Sequence, residues 1–244
     1  TVELMKMGEP GVPEMNAYIE EVLKEGETLG FDGRVVSVGE GEGYAAIAGK
    51  KNAKVNYQVD LIDEIWEDRP VLSEEPAFNL DVKYAGETVA SKLARIREEM
   101  KEAGTNVHVV STIDDICWTL NIRGNDIDFF PLVLSYGIIT MYSFELYIDE
   151  KKLDDKLKAK LEKDGVNLHP YNDIYEDVKK FGSDVVAMID PGKLNYALFN
   201  NIPENVKTVE KRNPAILMKA IKNPVEIENI RKAQIKDSVA HVRF

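Results

Sequence analysis

The sequence predicts an α/β fold in which a mixed β-sheet is flanked by helices, in two related copies of which the first is incomplete. Three observations support this prediction: helical and strand patterns alternate along the chain, two strand patterns are separated only by a short turn, and an early segment repeats a later one. The 244 residues, of which 44% are hydrophobic, are enough to bury a substantial core.

The clearest helical pattern is "GETVASKLARIREEMKEAG", in which Val89, Leu93, Ile96 and Met100 share one face and Gly104 ends the helix. A buried strand "NVHVVS" and a helix "STIDDICWTL", capped by Ser111 or Thr112, should follow. The strands "LVLSYGIIT" and "FELYID" are separated by a short turn, which predicts antiparallel pairing. The remaining order is helix, strand "NLHPY", helix, strand "DVVAMID", helix and strand "TVEKR".

An internal repeat connects "MNAYIEEVLKEGETLGFDG" with "YNDIYEDVKKFGSDVVAMIDP". Asn16 aligns with Asn172, and Asp32 aligns with Asp190 at the end of a strand in both copies. "TVELMKM" also resembles "SFELYID", so the match extends beyond the aligned helix. The first copy has no counterpart of residues 87–140, so we expect the chain to begin inside a domain and to expose an unpaired sheet edge there.

Charge and composition narrow the class of function. The net charge of −12 argues against nucleic-acid binding through a basic face, and no apolar run approaches the roughly 18 residues of a membrane span. The acidic start "TVELMKMGEPG" does not resemble a signal peptide, and the single cysteine, Cys117, should be small and buried. We therefore expect a cytoplasmic protein. In "DEKKLDDKLKAKLEKDG", Leu153, Leu157 and Leu161 predict a surface helix whose charged residues are solvated.

The stretch "WTLNIRGNDIDFFPLVLSYGIIT" places Arg123, Asp126 and Asp128 in a polar turn before a strand, and three interpretations stay open. The group lacks a nucleophile and a histidine partner, which disfavours catalysis. Gly124 and Asn125 suit a tight turn in which the charges are structural. The turn could also form the rim of a binding cleft.

Metal-dependent chemistry has weak support. A two-metal nuclease of ribonuclease-H-like topology would use carboxylates at strand ends, and a small-molecule-binding α/β domain is a further alternative. The histidines lack the spacing of metal ligands, and "GEGEGYAAIAG" fits neither phosphate-loop nor dinucleotide spacing. The residues concerned are Asp114, Asp126, Asp128 and Asp190 for the nuclease, and His108, His169 and His241 as the histidines.

The C-terminal segment predicts a long helix. Asn223, Pro224 and Glu226 form a capping-box pattern, and Ile227 and Ile230 lie along one face. An apolar helix face of this length normally packs on another element.

Five segments, in this order, match the pattern of a known family: "LMKMG", "LIDEIWEDRP", "YAGETVASKLARIREEM", "STIDDICWTLNIRGNDIDFFPLVLSYGIIT" and "KAIKNPVEIENIRKAQIKDSVAH". They resemble the three-domain aminopeptidases P, the Xaa-Pro aminopeptidases of the creatinase and prolidase superfamily. The resemblance implies creatinase N-terminal-like, ribonuclease-H-like domains. Residues 1–72 would be the rear half of the first domain, 73–218 the second domain, and 219–244 the opening helix of a pita-bread catalytic domain.

The same resemblance implies an activity. Family members release an N-terminal residue that precedes proline, using two metal ions, typically manganese, bound by the catalytic domain. We therefore expect no catalytic residue, no metal ligand and no cofactor in residues 1–244, and no hydrolysis by this chain alone. Arg123 and Asp126 would be substrate-binding residues at the cleft rim. The expected partners are the chain's own C-terminal catalytic domain, a peptide with proline at its second position and a second copy in a homodimer, but neither nucleic acid nor membrane.

Overall fold

The computed structural model describes residues 4–244, which divide into two compact units. The first unit comprises Thr1–Pro70 and Pro191–Asn200, and the second comprises Val71–Asp190 and Asn201–Phe244. The domain boundaries expected from the resemblance remain predictions, because this division follows compactness and not ancestry.

Ten helices occur in the described residues, together with two 3₁₀ segments at Glu150–Lys152 and Val178–Lys180. The α-helices are α1 Met15–Val22, α2 Val38–Lys50, α3 Val82–Ala85, α4 Val89–Glu102, α5 Ile113–Leu120, α6 Asp155–Lys163, α7 Ile174–Asp177, α8 Tyr196–Asn200, α9 Pro214–Ala220 and α10 Pro224–Arg243.

Ten strands form three sheets in the same residues. They are β1 Thr28–Gly30, β2 Lys54–Asn56, β3 Phe78–Asn79, β4 Val107–Val110, β5 Ile122–Arg123, β6 Tyr136–Thr140, β7 Phe144–Tyr147, β8 Val166–His169, β9 Val186–Ile189 and β10 Lys207–Glu210. The main sheet has the order β10-β9-β4-β6-β7-β8 and lies in the second unit. Its β4/β6 and β6/β7 pairs are antiparallel and its other pairs are parallel. The predicted mixed α/β sheet and the antiparallel β6/β7 hairpin are confirmed.

Helix α4 shows why the second unit has a well-packed core. Its predicted face, Val89, Leu93, Ile96 and Met100, is buried with no more than 2% exposure, and the helix is followed by Gly104 at φ +68°. Glycine adopts a left-handed conformation at little cost in free energy, so Gly104 is well suited to end the helix. The face belongs to a continuous apolar cluster that includes residues from β6, β7 and α6.

The first unit contains a small β-α-β element. Strands β1 and β2 pair in parallel, and helix α2 between them begins with a capping box of Ser37 and Glu40. Gly41 of α2 permits a close approach, because a Cβ there would lie 2.2 Å from the Tyr196 ring. The pairing of β9 with β10 has the same parallel sense, which agrees with the predicted repeat.

One sequence-based expectation needs correction, and one lies partly outside the described residues. Of the segment "TVELMKM", which resembles "SFELYID", residues 1–3 lie outside the described residues, and residues 4–6 form no strand. The lysine-rich segment is split: Leu153 follows a 3₁₀ turn, whereas Leu157 and Leu161 are buried on α6, which starts only at Asp155. The aspartate cap at Asp154, whose side chain accepts from the Leu157 N–H, explains this later start.

Candidate functional site

Arg123 follows the C-terminal end of α5, where the cap residue Asn121 adopts a left-handed conformation. Asn121 has φ +52° and is 1% exposed, and its side chain donates to the Glu87 carbonyl oxygen at 2.8 Å. Its backbone oxygen accepts from the Leu80 N–H at 2.7 Å, and β5 then pairs antiparallel with β3. The backbone of Arg123 is therefore fixed by the hydrogen bonds of Asn121 and by the pairing of β5 with β3.

Arg123 is held at one nitrogen only. Its Nη1 donates to the carbonyl oxygens of Cys117 and Ile122, each at 2.8 Å. Burial lowers the pKa of Arg123, which Cys117 and Glu226 oppose. Within residues 4–244, no protein group accepts a hydrogen bond from its Nη2 or Nε.

Asp126 and Lys152 form a buried ion pair that anchors the following loop. The Lys152 Nζ donates to Asp126 Oδ2 at 2.6 Å, and the two side chains are 3% and 1% exposed. The Leu134 N–H donates to the same oxygen at 2.7 Å. Asp126 Oδ1 is buried and has no partner among the described residues. Gly124 is required nearby, because a Cβ would lie 2.6 Å from Val133 Cγ2.

The tip of the same loop is apolar and exposed. Phe129 is fully exposed and has φ +67°, and Phe130 is 61% exposed. The Phe130 N–H donates to the Ile127 oxygen at 3.1 Å, so the tip is a tight turn. Asp128, the second predicted carboxylate of the turn, is exposed beside them. The structure therefore separates Asp128 at the surface from Asp126 in the interior.

A buried lysine lies against the C-terminal end of α5. Lys92 is 1% exposed, and its Nζ donates to the Trp118 oxygen at 2.7 Å and to Asn121 Oδ1 at 2.8 Å. The ammonium also lies 4.2 Å from the centre of the Trp118 ring, in a cation–π contact. Burial lowers the pKa of Lys92 to about 8, although Glu226 and Glu87 oppose this effect. Trp118 itself is 5% exposed and belongs to the apolar core.

His108 belongs to a separate buried network. Its Nδ1 lies 3.1 Å from the Met188 oxygen and its Nε2 lies 3.2 Å from Asn213 Oδ1. Asn213 donates to Asp115 Oδ2 at 2.9 Å, and Lys219 donates to Asp115 Oδ1 at 2.7 Å. Burial lowers the pKa of His108, with the two hydrogen bonds acting in the opposite direction. His108 is therefore a buried strand residue with a hydrogen-bond partner at each ring nitrogen.

The other candidate metal ligands have separate partners. His169 lies 2.6 Å from Glu145, Asp114 pairs with Lys219, and Asp190 accepts from the Asn213 N–H at 2.9 Å. Among residues 4–244, no three histidine, cysteine, aspartate or glutamate side chains lie close enough together to hold a metal ion. The donors described here therefore do not fit a di-metal centre. In the same part of the chain, no helix has both the length and the apolar character needed to span a membrane.

Two lysines are the functional candidates that the sequence did not reveal. The interpretation of 149–165 as charges solvated on a surface helix is wrong for Lys152, which is 3% exposed. Its partner Asp126 is 26 residues away, and no local pattern distinguishes it from Lys151 or Lys156. Lys92 lies within an otherwise regular helical pattern, where only three-dimensional packing reveals its burial.

The sequence pattern of the Creatinase/Prolidase N-terminal domain matches residues 68–226. The Xaa-Pro aminopeptidase 1 of Dictyostelium discoideum is 34% identical over 251 residues, which covers 99% of this chain and 40% of that protein. A probable Xaa-Pro aminopeptidase P of Laccaria bicolor is 33% identical over 248 residues, again covering 99% of this chain, and 38% of that protein. The chain thus spans well under half the length of these relatives.

A solved structure resembles the whole described chain. The X-prolyl aminopeptidase of Caenorhabditis elegans, described as a cytosolic enzyme with a di-nuclear active site, has a TM-score of 0.93 and 30% sequence identity. The match covers 99% of this chain and 40% of the C. elegans chain. Fold and sequence therefore agree on the same family of proteins.

Proposed function

Since the chain belongs to the aminopeptidase P family and carries its creatinase/prolidase N-terminal domain, we propose that it is a non-catalytic region of a metal-dependent Xaa-Pro aminopeptidase. One observation carries this proposal: 99% of the chain matches its relatives, yet it covers only 38–40% of the length of each relative. The scattered carboxylates and histidines of residues 4–244 support it, because they form no metal-binding group. We expect no hydrolysis by this chain alone.

The parent enzyme releases an N-terminal residue that precedes proline, as the names of the relatives indicate. Its two metal ions, manganese in our proposal, are bound by a catalytic domain; the di-nuclear active site of the C. elegans relative supports the number of ions. The cytosolic description of that relative supports a cytoplasmic location here.

Arg123 and Asp126 contribute to substrate access in this proposal. The guanidinium of Arg123 has unused donors at Nη2 and Nε, which suit a carbonyl oxygen or a carboxylate of a bound peptide. Asp126 supports the same loop from within through Lys152 and the Leu134 N–H. Asp126 is therefore a positioning residue, and Arg123 is the residue that contacts the peptide.

Helix α10 provides the connection to the catalytic domain. None of its residues is buried, and Ile227, Ile230 and Ile235 are 40%, 46% and 65% exposed. The helix nevertheless has a fixed start, because Asn223 caps it and donates to the Ala85 oxygen at 2.8 Å. We propose that its apolar side chains pack on the catalytic domain, and that a homodimer forms in the full-length enzyme.

The test is cleavage of an Xaa-Pro-Xaa peptide with added manganese, comparing this chain with a version extended to the length of its relatives. We expect hydrolysis only by the extended version. Cleavage by the 244-residue chain itself would contradict the proposal.

Arginine variants of the extended version test the role of the loop. Arg123→Lys should raise KM about tenfold, because lysine cannot form the same forked contact. Arg97→Lys is the matched control, since Arg97 also donates to two carbonyl oxygens, those of Thr140 and Ser143. Equal effects of the two variants would exclude a specific substrate contact at Arg123. No observation favours the nuclease alternative.

A further inference from the structure

A cavity of about 400 Å³ opens in the second unit beside the ends of β7 and β8. Its walls come from residues that follow these two parallel strands, from the segment before β6 and from Leu72 and Ser73. Ligands of open α/β sheets characteristically bind at the carboxyl ends of parallel strands. The volume lies within the range of roughly 300–1,000 Å³ that is typical of small-molecule sites.

The cavity walls are held in place by contacts of their own. The Ile148 N–H donates to the His169 oxygen at 2.9 Å, which joins the two strand ends. The Ala77 N–H donates to the Lys152 oxygen at 2.9 Å, which joins the segment after Ser73 to the same wall, whereas the Lys151–Glu74 pair is exposed and contributes little. These backbone hydrogen bonds hold part of the wall in place, which reduces the entropic cost of binding a ligand.

The apolar part of the lining is large enough to receive a compact side chain. Leu134, Ile148, Pro170 and Tyr171 contribute to it, together with Leu72. Tyr171 is positioned by its ring contact with Tyr136, whose centroid lies 5.0 Å away. A ligand would bury apolar surface against these groups.

The charged part of the lining is net negative. Lys152 contributes no free charge, because Asp126 neutralises it. Asp149 and Glu150 remain, and Asp149 accepts the Lys151 N–H at only one of its oxygens, Oδ1. Glu150 has an exposed ion pair with Lys158 at 3.1 Å, which solvent weakens.

We propose that this cavity binds a small ligand that has both an ammonium group and a compact apolar group. The ammonium lies against Asp149, and the apolar group packs on Leu134, Ile148 and Tyr171. An amino acid amide and the first residue of a peptide share this chemistry. The site does not depend on the peptidase role proposed above, because all of its lining residues belong to this chain.

The ligand's charge is the decisive feature of this assignment. The carboxylates of Asp149 and Glu150 in the lining would repel an anionic ligand. Asp126 pairs with Lys152, and its Oδ1 is buried without a partner among the described residues. A neutral ligand of the same shape would keep the apolar contacts but leave Asp149 with no new partner. Binding should therefore require the positive charge and not only the shape.

The experiment is a titration of the 244-residue chain with leucinamide and, separately, with N-acetylleucinamide, followed by NMR or calorimetry. We expect saturable binding of leucinamide and binding about tenfold weaker, or none, for the acetylated compound, because a charge-assisted hydrogen bond is lost. No saturable binding of leucinamide, or equal affinities, would overturn the proposal.

Paired variants locate the site. Asp149→Asn should weaken leucinamide binding about tenfold while it keeps the oxygen that accepts the Lys151 N–H. Glu162→Gln, at an exposed position of α6, makes the same change in net charge and should leave the affinity unchanged. Circular dichroism shows whether both variants keep the fold. If folded Asp149→Asn protein binds as tightly as Glu162→Gln, the ammonium is not at Asp149 and the assignment fails.

Discussion

The two units contain the same kind of parallel strand pair in very different surroundings. In the second unit, β9 and β10 extend a six-stranded sheet, and α4 buries its whole apolar face. In the first unit, β1 and β2 form a sheet of two strands. The hydrophobic cluster beside this sheet includes Leu23, Ile47 and Ala48. Isolated two-stranded sheets are marginally stable in water. The stability of a parallel strand pair therefore depends on the structure that surrounds it.

The size of the buried core shows the same contrast. Large apolar side chains are exposed in both units, such as Leu4 and Ile65 in the first and Phe129 in the second. In the second unit, Ile96 and Phe144 belong to a large buried cluster, whereas the cluster around Ile47 in the first unit is small. We infer that the second unit has the greater free energy of unfolding.

The largest effect should come from breaking the buried ion pair of the second unit. Lys152→Met leaves Asp126 charged and without a cation, and should cost about 3–5 kcal/mol of unfolding free energy in chemical denaturation. The control is Lys158→Met, which removes an exposed pair and should cost less than about 1 kcal/mol. Similar costs for both variants would show that the buried pair is not structurally important.

Matched isoleucine truncations compare the two cores directly. Ile96→Ala in α4, at 0% exposure, should cost about 4 kcal/mol, because the surrounding cluster cannot collapse around the cavity. Ile47→Ala in α2, at 6% exposure in a smaller cluster, should cost about 2 kcal/mol. Denaturation of each variant measures these losses. A larger loss at Ile47 would reverse the ranking of the units.

Helix caps should have smaller effects that are nearly equal in the two units. The Ser37 side chain accepts from the Glu40 N–H in the first unit, and the Thr88 side chain accepts from the Ser91 N–H in the second. Ser37→Ala and Thr88→Ala should each cost about 1 kcal/mol, because capping is a local interaction. Thermal denaturation of the two variants tests this. Strongly unequal costs would mean that the units differ in local structure as well as in packing.

The smallest perturbation is a chemical label. Cys117 is fully buried in the second unit, and burial raises the pKa of its thiol to about 11. At pH 8 the folded protein should react with a thiol reagent only when the second unit opens, since the thiolate is the reactive form. The labelling rate should rise with denaturant in parallel with loss of the second unit. Rapid labelling of the native protein would contradict the assigned burial.

Periodicity and turn chemistry explain which parts of this molecule could be predicted. The face of α4, the β6/β7 hairpin and the Asn223 cap are local patterns, and the structure contains each of them. The pairing of Lys152 with Asp126 joins positions 26 residues apart, and its formation depends on how the loop packs. The grouping of Pro191–Asn200 with the first unit likewise depends on distant contacts. The sequence predicts Arg123 and Asp126 as neighbours in one turn, but only the structure shows that Asp126 is buried against Lys152 while Arg123 donates to the carbonyl oxygens of Cys117 and Ile122.

Hydrogen exchange of the backbone amides tests the contrast between the units most directly. Amides of β4, β6 and β7 should exchange only with complete unfolding of the second unit, whereas those of β1 and β2 should exchange earlier through a lower-energy opening of the first. This result would show that the parallel strand pair depends on its surroundings. Equal protection of β1, β2 and the β4–β6–β7 sheet would contradict the account.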